Sequence, residues 1–161
     1  MRKLILTTII SLCSHSLLAN SPRVDDSVSY NHENTQVNFN FKQILERIDS
    51  ARDVYTIARY TIRDDGSERF LRRDRYTGSA VRKSYLSDLS VDCVALKGSI
   101  EVIEVPAGTF ETCRVDDVLA EQYARTSWMA ANIPFGLVRE RVVKLNDPSD
   151  IRQTELISIE Q

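Results

Sequence analysis

The sequence predicts a mainly β protein, an antiparallel meander curled into a barrel or half-barrel with one short helix. Three observations carry this expectation. Apolar and polar residues alternate along most of the chain after Val54, the period of a strand buried on one face. Turn-forming clusters separate the alternating runs, at Asp64-Asp65-Gly66-Ser67, Pro106-Ala107-Gly108-Thr109, Asn132 to Gly136 and Asn146-Asp147-Pro148-Ser149, the punctuation of a closed or half-closed β meander. A helical period is confined to one stretch, where Phe41, Ile44, Leu45, Ile48 and Ala51 recur at spacings of three and four. Residues 42–52 are therefore expected to form an amphipathic helix that closes one side or mouth of the sheet.

The chain opens with Arg2 and Lys3, then an apolar run from Leu4 to Ile10 and a small-residue end at Leu18-Ala19-Asn20. That is the plan of a secretory signal peptide, and the run is shorter than the roughly 20 apolar residues that span a bilayer. Cleavage is expected after Ala19. Cys13 raises the question of lipidation, but Leu12 stands where that motif wants a small residue. A soluble periplasmic or secreted protein with no transmembrane segment is expected. Losing Arg2 and Lys3 takes the net charge from −2 to −4 and leaves one histidine, His32, and two cysteines, Cys93 and Cys113.

Residues 20–38 are rich in Ser, Asn and Asp and read as an exposed leader; 39–161 read as a single β-rich domain. Strands are expected over 54–62, 68–76, 91–96, 100–105, 110–118, 120–129, 137–145 and 151–159. β-Branched and aromatic residues dominate them, as a pleated, half-buried surface prefers.

Several chemistries are excluded. One histidine beyond the signal peptide leaves little for a Ser-His-Asp or Cys-His arrangement. Phosphate-binding Gly-rich loops, zinc-type Cys/His spacings and G-x-S-x-G elbows are absent. An acidic balance gives no reason to expect nucleic acid. No cofactor or metal is expected. The carboxylate pairs Asp25-Asp26, Asp64-Asp65 and Asp116-Asp117 read as solvated groups rather than an acid–base pair, so no enzyme is expected.

The strongest candidate site is a basic run from Arg59 to Lys83, with eight cations against Asp64, Asp65, Glu68 and Asp74. Arginines at alternate strand positions would form a guanidinium row able to grip phosphate or carboxylate groups. A solvated strand face with cross-strand ion pairs is the other reading. Arg59, Arg72, Arg73 and Arg75 are the candidate ligand-binding residues, together with Trp128, which lines a cavity or packs beneath the sheet.

The stretch from Glu101 to Cys113 contains Val105-Pro106-Ala107-Gly108-Thr109-Phe110; Trp128 and Pro134-Phe135-Gly136-Leu137-Val138-Arg139-Glu140 follow. This order resembles a signature of small bacterial envelope domains of unknown function, which carry a V-P-A-G-T-F hairpin and a W…P-x-G-L-V-[KR]-x-E motif. The resemblance covers roughly residues 91–159. It implies a curved antiparallel sheet similar to lipocalin-like and lipoprotein-carrier half-barrels, and it brings no catalytic residue. Two functions follow as expectations. One is a periplasmic binding module for a lipid or other hydrophobic ligand; the other is a structural or assembly module that binds another envelope protein. A cavity of at least about 300 Å³ with aliphatic walls would favour the first.

Export and two remaining cysteines point to a Cys93–Cys113 disulfide, as does the family-like cysteine after the hairpin. Strand arithmetic opposes it. A tight hairpin at Lys97-Gly98 would set the two cysteines two strands apart, about 9.6 Å, beyond the roughly 7 Å reach of a bridge. The bond therefore requires the chain to bend at Gly98.

Overall fold

A computed structural model describes residues 22–160. Nine strands form one antiparallel sheet: β1 (Ser27–Asn34), β2 (Asn38–Asp49), β3 (Val54–Ile62), β4 (Glu68–Thr77), β5 (Ser99–Val105), β6 (Gly108–Leu119), β7 (Tyr123–Met129), β8 (Leu137–Lys144) and β9 (Asp147–Glu160). Their spatial order is β4-β3-β2-β1-β9-β8-β7-β6-β5. The protein is thus a mainly β, antiparallel half-barrel that stays open, with β4 and β5 at its edges.

The chain crosses from one edge to the other through two short helices, α1 (Gly78–Ser84) and α2 (Leu89–Ala95). The far wing curls back on the middle of the sheet. Ala107 N–H donates to the Leu156 carbonyl at 3.2 Å, and the Arg139 guanidinium donates to the Glu104 carbonyl at 2.6 Å.

Val28, Tyr30, Leu45, Val138 and Leu156 are the innermost side chains of the core. The crossover and the β7–β8 loop supply the rest, with Val81, Tyr85, Ile133 and Phe135 packed into the same cluster. The Tyr85 and Phe135 rings meet edge to face at 5.7 Å. Gly136 makes that meeting possible. Its φ is +67°, and a Cβ there would stand 2.1 Å from the Ser84 carbonyl oxygen. The crossover and this loop are therefore part of the core of the half-barrel.

Three expectations fail. Residues 42–52 form no helix; Asn38–Asp49 is β2. Register shifts between Leu45 and Arg47, and this bulge leaves Leu45 opposite Ile57 and Ile48 opposite Tyr55 on the core side. An extra residue in a strand turns a spacing of two into three, so Phe41, Leu45 and Ile48 imitate a helical face. Residues 91–96, expected as a strand, lie in α2 instead. Its N-cap Asp88 accepts hydrogen bonds from Ser90 N–H at 3.0 Å and Val91 N–H at 3.1 Å, as an N-cap carboxylate does.

The supposed leader of residues 20–38 contains β1, an interior strand of the sheet paired with β2 and β9. Val28 and Tyr30 enter the core, while Ser27 and Ser29 on the alternate positions are buried too. Ser27 Oγ donates to Glu160 at 3.1 Å, and Asn31 bonds Asn38 and Asn40. A strand paired on both sides needs few apolar residues to be held. The signal peptide, its cleavage point and Cys13 lie outside the described residues.

Candidate functional site

The pleat divides the predicted arginines. Arg59 stands opposite Arg72 across β3 and β4, while Arg73 stands opposite Ala58 and Arg75 opposite Thr56. Successive residues of a strand point to opposite faces, so Arg72 and Arg73 cannot share a row. Arg59 and Arg72 flank Asp74 at 3.8 and 2.9 Å, and Arg59 also donates to Tyr76 Oη at 3.2 Å. On the other face Arg73 holds Glu46 in a bidentate grip at 2.6 and 3.0 Å and stacks over Phe70, 4.7 Å from the ring centre. That pairing keeps the Glu46 carboxyl below its ordinary range.

Arg75 has no such partner. It lies in register with Thr56, and Thr56 with Arg47 on β2, so the three side chains line up across the wing. Two clefts share them. One, of about 550 Å³, adds Asp25, Glu46 and Arg73; the other, of about 260 Å³, adds Asp49, Arg52, Val54, Tyr76 and Thr77. Arg47 was missing from the sequence-derived set because residues 42–52 read as a helix, which hid its alignment with Arg75.

Trp128 is far from these residues along the sheet, opposite Arg114 on β6 and Arg139 on β8. Both guanidiniums lie over its ring, 5.9 and 5.8 Å from the centre. Its indole N–H donates to Glu101, and Arg139 pairs with Glu155 at 2.7 Å. The indole edge and the Arg139 guanidinium therefore already have carboxylate partners.

In each carboxylate pair at least one member already has a partner. Asp116 accepts from Thr126 at 2.6 Å, Asp117 is gripped by Arg125, and both carboxyls are held below their ordinary range. Asp65 caps Ser67 N–H in the β3–β4 turn at 2.8 Å. Asp26 accepts from the Tyr85 hydroxyl at 3.2 Å and from Arg23 N–H at 2.8 Å. Groups fixed as carboxylates serve poorly as proton donors. Among the described residues no His/Cys/Asp/Glu cluster suits a metal ion.

The Cys93–Cys113 disulfide is present, with Cα atoms 5.3 Å apart. The bend expected at Gly98 is a helix end. Gly98 N–H donates to the Cys93 carbonyl at 2.9 Å, after Lys97 with φ 58°. A Cβ on Gly98 would sit 2.4 Å from Cys113 Sγ. The bond thereby fastens α2 to the face of the β5–β6 hairpin that carries Ile100, which is opposite Cys113, and Val102 two residues on. Val94 is 78% exposed and Val102 67%, with Val91 and Ile100 exposed beside them. Four exposed apolar side chains thus lie on the two elements that the disulfide joins, Val91 and Val94 on α2 and Ile100 and Val102 on edge strand β5, an apolar collar invisible while residues 91–96 read as a strand. A third cleft of about 480 Å³ is polar, lined by His32, Asn34, Asp150 and Arg152 among others. No helix among the described residues is long and apolar enough to cross a membrane.

No protein-family model and no curated protein sequence matches the chain. Solved structures do. A Bacteroides fragilis protein described as exported, with a YmcC-like fold, superposes with a TM-score of 0.52 at 8% identity, over 86% of this chain and 97% of that one. MucB, solved in complex with MucA(peri), gives 0.50 at 7% identity, over 86% of this chain and 50% of MucB. A Parabacteroides distasonis protein described as a lipoprotein gives 0.47 at 11% identity, over 86% of this chain and 96% of that one. At such identities the first two likenesses are of fold alone.

Proposed function

We propose that the protein is an exported, non-enzymatic module that binds another envelope protein through edge strand β5 and the apolar collar beside it. One observation carries the reading: among the described residues the crossover and the β7–β8 loop pack into the core, while apolar side chains are exposed at an open edge. Tyr85 and Phe135 belong to the packed core cluster, and each of the clefts described above has charged side chains on its wall. A carrier of hydrophobic ligands needs the reverse, an apolar cavity.

Edge strands usually guard their free backbone groups with charge or bulges. β4 is guarded, with five arginines or acids between Arg69 and Arg75 and a register shift at Arg59. β5 pairs with β6 without a register shift and carries only two charges, Glu101 and Glu104, of which Glu101 is engaged by the Trp128 indole. The signal-peptide plan, the exported neighbour and a fold shared with MucB, a protein solved bound to another, support the same reading.

Site-specific photocrosslinking in the native envelope tests it. A photoreactive residue at Val102 should give one discrete protein adduct, lost in Val94→Asp, and the same probe at Leu71 beside the β4 edge should give none. Absence of the adduct, with a stoichiometric lipid in organic extracts of the natively purified protein, would overturn it in favour of the hydrophobic-ligand carrier.

A further inference from the structure

We propose that Arg47 and Arg75 form a two-guanidinium site for a phosphate group, straddling Thr56 on the face of the β2–β3–β4 wing that also carries Arg73. The site is separate from the β5 edge and does not depend on the partner-binding reading.

Most arginines of the sheet already have a carboxylate close by. Arg59, Arg72, Arg73, Arg125 and Arg139 each lie within 4.0 Å of a carboxylate. Arg47 and Arg75 have no carboxylate partner among the described residues, although register lines them up on either side of one short side chain. Two like charges brought to one groove without a counterion repel one another, and an anion between them removes that cost.

Geometry selects the anion. The outer residues of three adjacent strands are about 9.6 Å apart at Cα, a span two arginine side chains can close over Thr56. A carboxylate can sit between two guanidiniums, as Asp74 does between Arg59 and Arg72, but a phosphate has oxygens enough to give each fork its own bidentate pair and carries more charge. Thr56 supplies a hydroxyl between them. Cleft composition agrees. In the larger cleft Glu46 is engaged by Arg73, leaving Asp25 as the one other carboxylate on the wall. In the smaller cleft Asp49 faces Arg52 at 4.0 Å. Both clefts are open to solvent on the sheet surface, so the phosphate can be free or borne by a lipid headgroup.

The test follows the arginine Nε–H resonances of the mature protein during titration with inorganic phosphate at constant ionic strength. Shifts at Arg47 and Arg75 should saturate together. Arg47→Ala and Arg75→Ala should each weaken binding at least fivefold, and Asp25→Asn should tighten it. Thr56→Glu, which places a carboxylate between the guanidiniums, should abolish the saturable phase while circular dichroism reports an intact sheet. Arg69→Ala, an exposed arginine elsewhere on β4, should change nothing. Co-sedimentation with phosphatidylglycerol vesicles but not phosphatidylcholine vesicles, lost in Arg75→Ala, would assign the phosphate to a headgroup; saturation without vesicle binding would assign a free phosphate. Shifts that rise linearly without saturating, or weakening by Arg69→Ala equal to that of Arg75→Ala, would overturn the site.

Discussion

Replacing Gly136 with alanine should cost far more than its single added methyl suggests. Two penalties combine. At φ +67° an L-residue sits in the left-handed region, which costs alanine roughly 1–2 kcal/mol. The new Cβ would also meet the Ser84 carbonyl oxygen at 2.1 Å, so α1 and the loop must part by about 1 Å, overpacking of the kind that costs roughly 1–3 kcal/mol. Parting them loosens Phe135 from Tyr85. The expected loss is about 3 kcal/mol, a fall of about 10 °C in Tm for a domain of this size. Urea unfolding followed by circular dichroism measures it. Gly66→Ala is the matched control, because Gly66 has φ +78° with nothing within 4 Å of an added Cβ; it should lose only the backbone part, about 1 kcal/mol. If the two variants fall within about 0.5 kcal/mol of each other, beneath the usual coupling of packed groups, the docking of the loop on α1 contributes nothing and the argument fails.

Other outcomes are equally definite. The Cys93→Ala/Cys113→Ala double variant should lose about 3 kcal/mol in urea, the chain-entropy value for a loop of this length; a loss under about 1 kcal/mol would mean that α2 is held by its packing instead. Tyr85→Phe should cost about 2 kcal/mol, since it strips a partner from the buried Asp26 carboxylate, and an unchanged melt would contradict that bond. Burial pushes the Glu140 carboxyl above its ordinary range, against the lowering by Arg125. Its folded form thus binds a proton more readily than its unfolded form, and this group's contribution to stability declines as pH rises from the ordinary carboxylate range through the raised value. Glu140→Gln should therefore be more stable than the native protein at pH 7, with an advantage that shrinks on acidification; a constant difference would refute the shift.

What the sequence conveyed, and what it concealed, follows from local geometry. Strands β3, β4, β5, β6 and β8 were legible because their alternation runs nearly unbroken between turns rich in Gly, Pro and Asp. β2 was not, because one bulged residue at Glu46 disguises a strand as a helix. β1 was hidden by polarity: its alternate positions carry Ser27, Ser29 and Asn31, and the side-chain hydrogen bonds of Ser27 and Asn31 to neighbouring strands replace apolar burial. α2 did advertise itself through Asp88, an N-cap three residues before Val91, yet Val91, Cys93 and Leu96 suggested a strand. These errors propagated to the site. With β2 misread, Arg47 had no place beside Arg75, and with α2 misread, the collar on β5 could not be assembled. The arginines were visible as a charge run, but a run along the chain does not say which of its members share a face.

The pairing of β1 with β9 sets a clock on the protein. Of the nine strands β1 is made first, and β9, which occupies the centre of the sheet, is made last, joining Ser27 to Glu160. Until β9 emerges, β1 to β4 and β5 to β8 are two separate ribbons, each with an unpaired inner edge and half of the core uncovered. Closing so long a loop is slow compared with zipping a hairpin, so the newly made chain dwells in a state that invites foreign strands. Chains truncated before Asp147 would remain in that state permanently. The same stitch that completes the sheet thus serves as a check that every strand has arrived, and exposes incomplete copies to proteolysis.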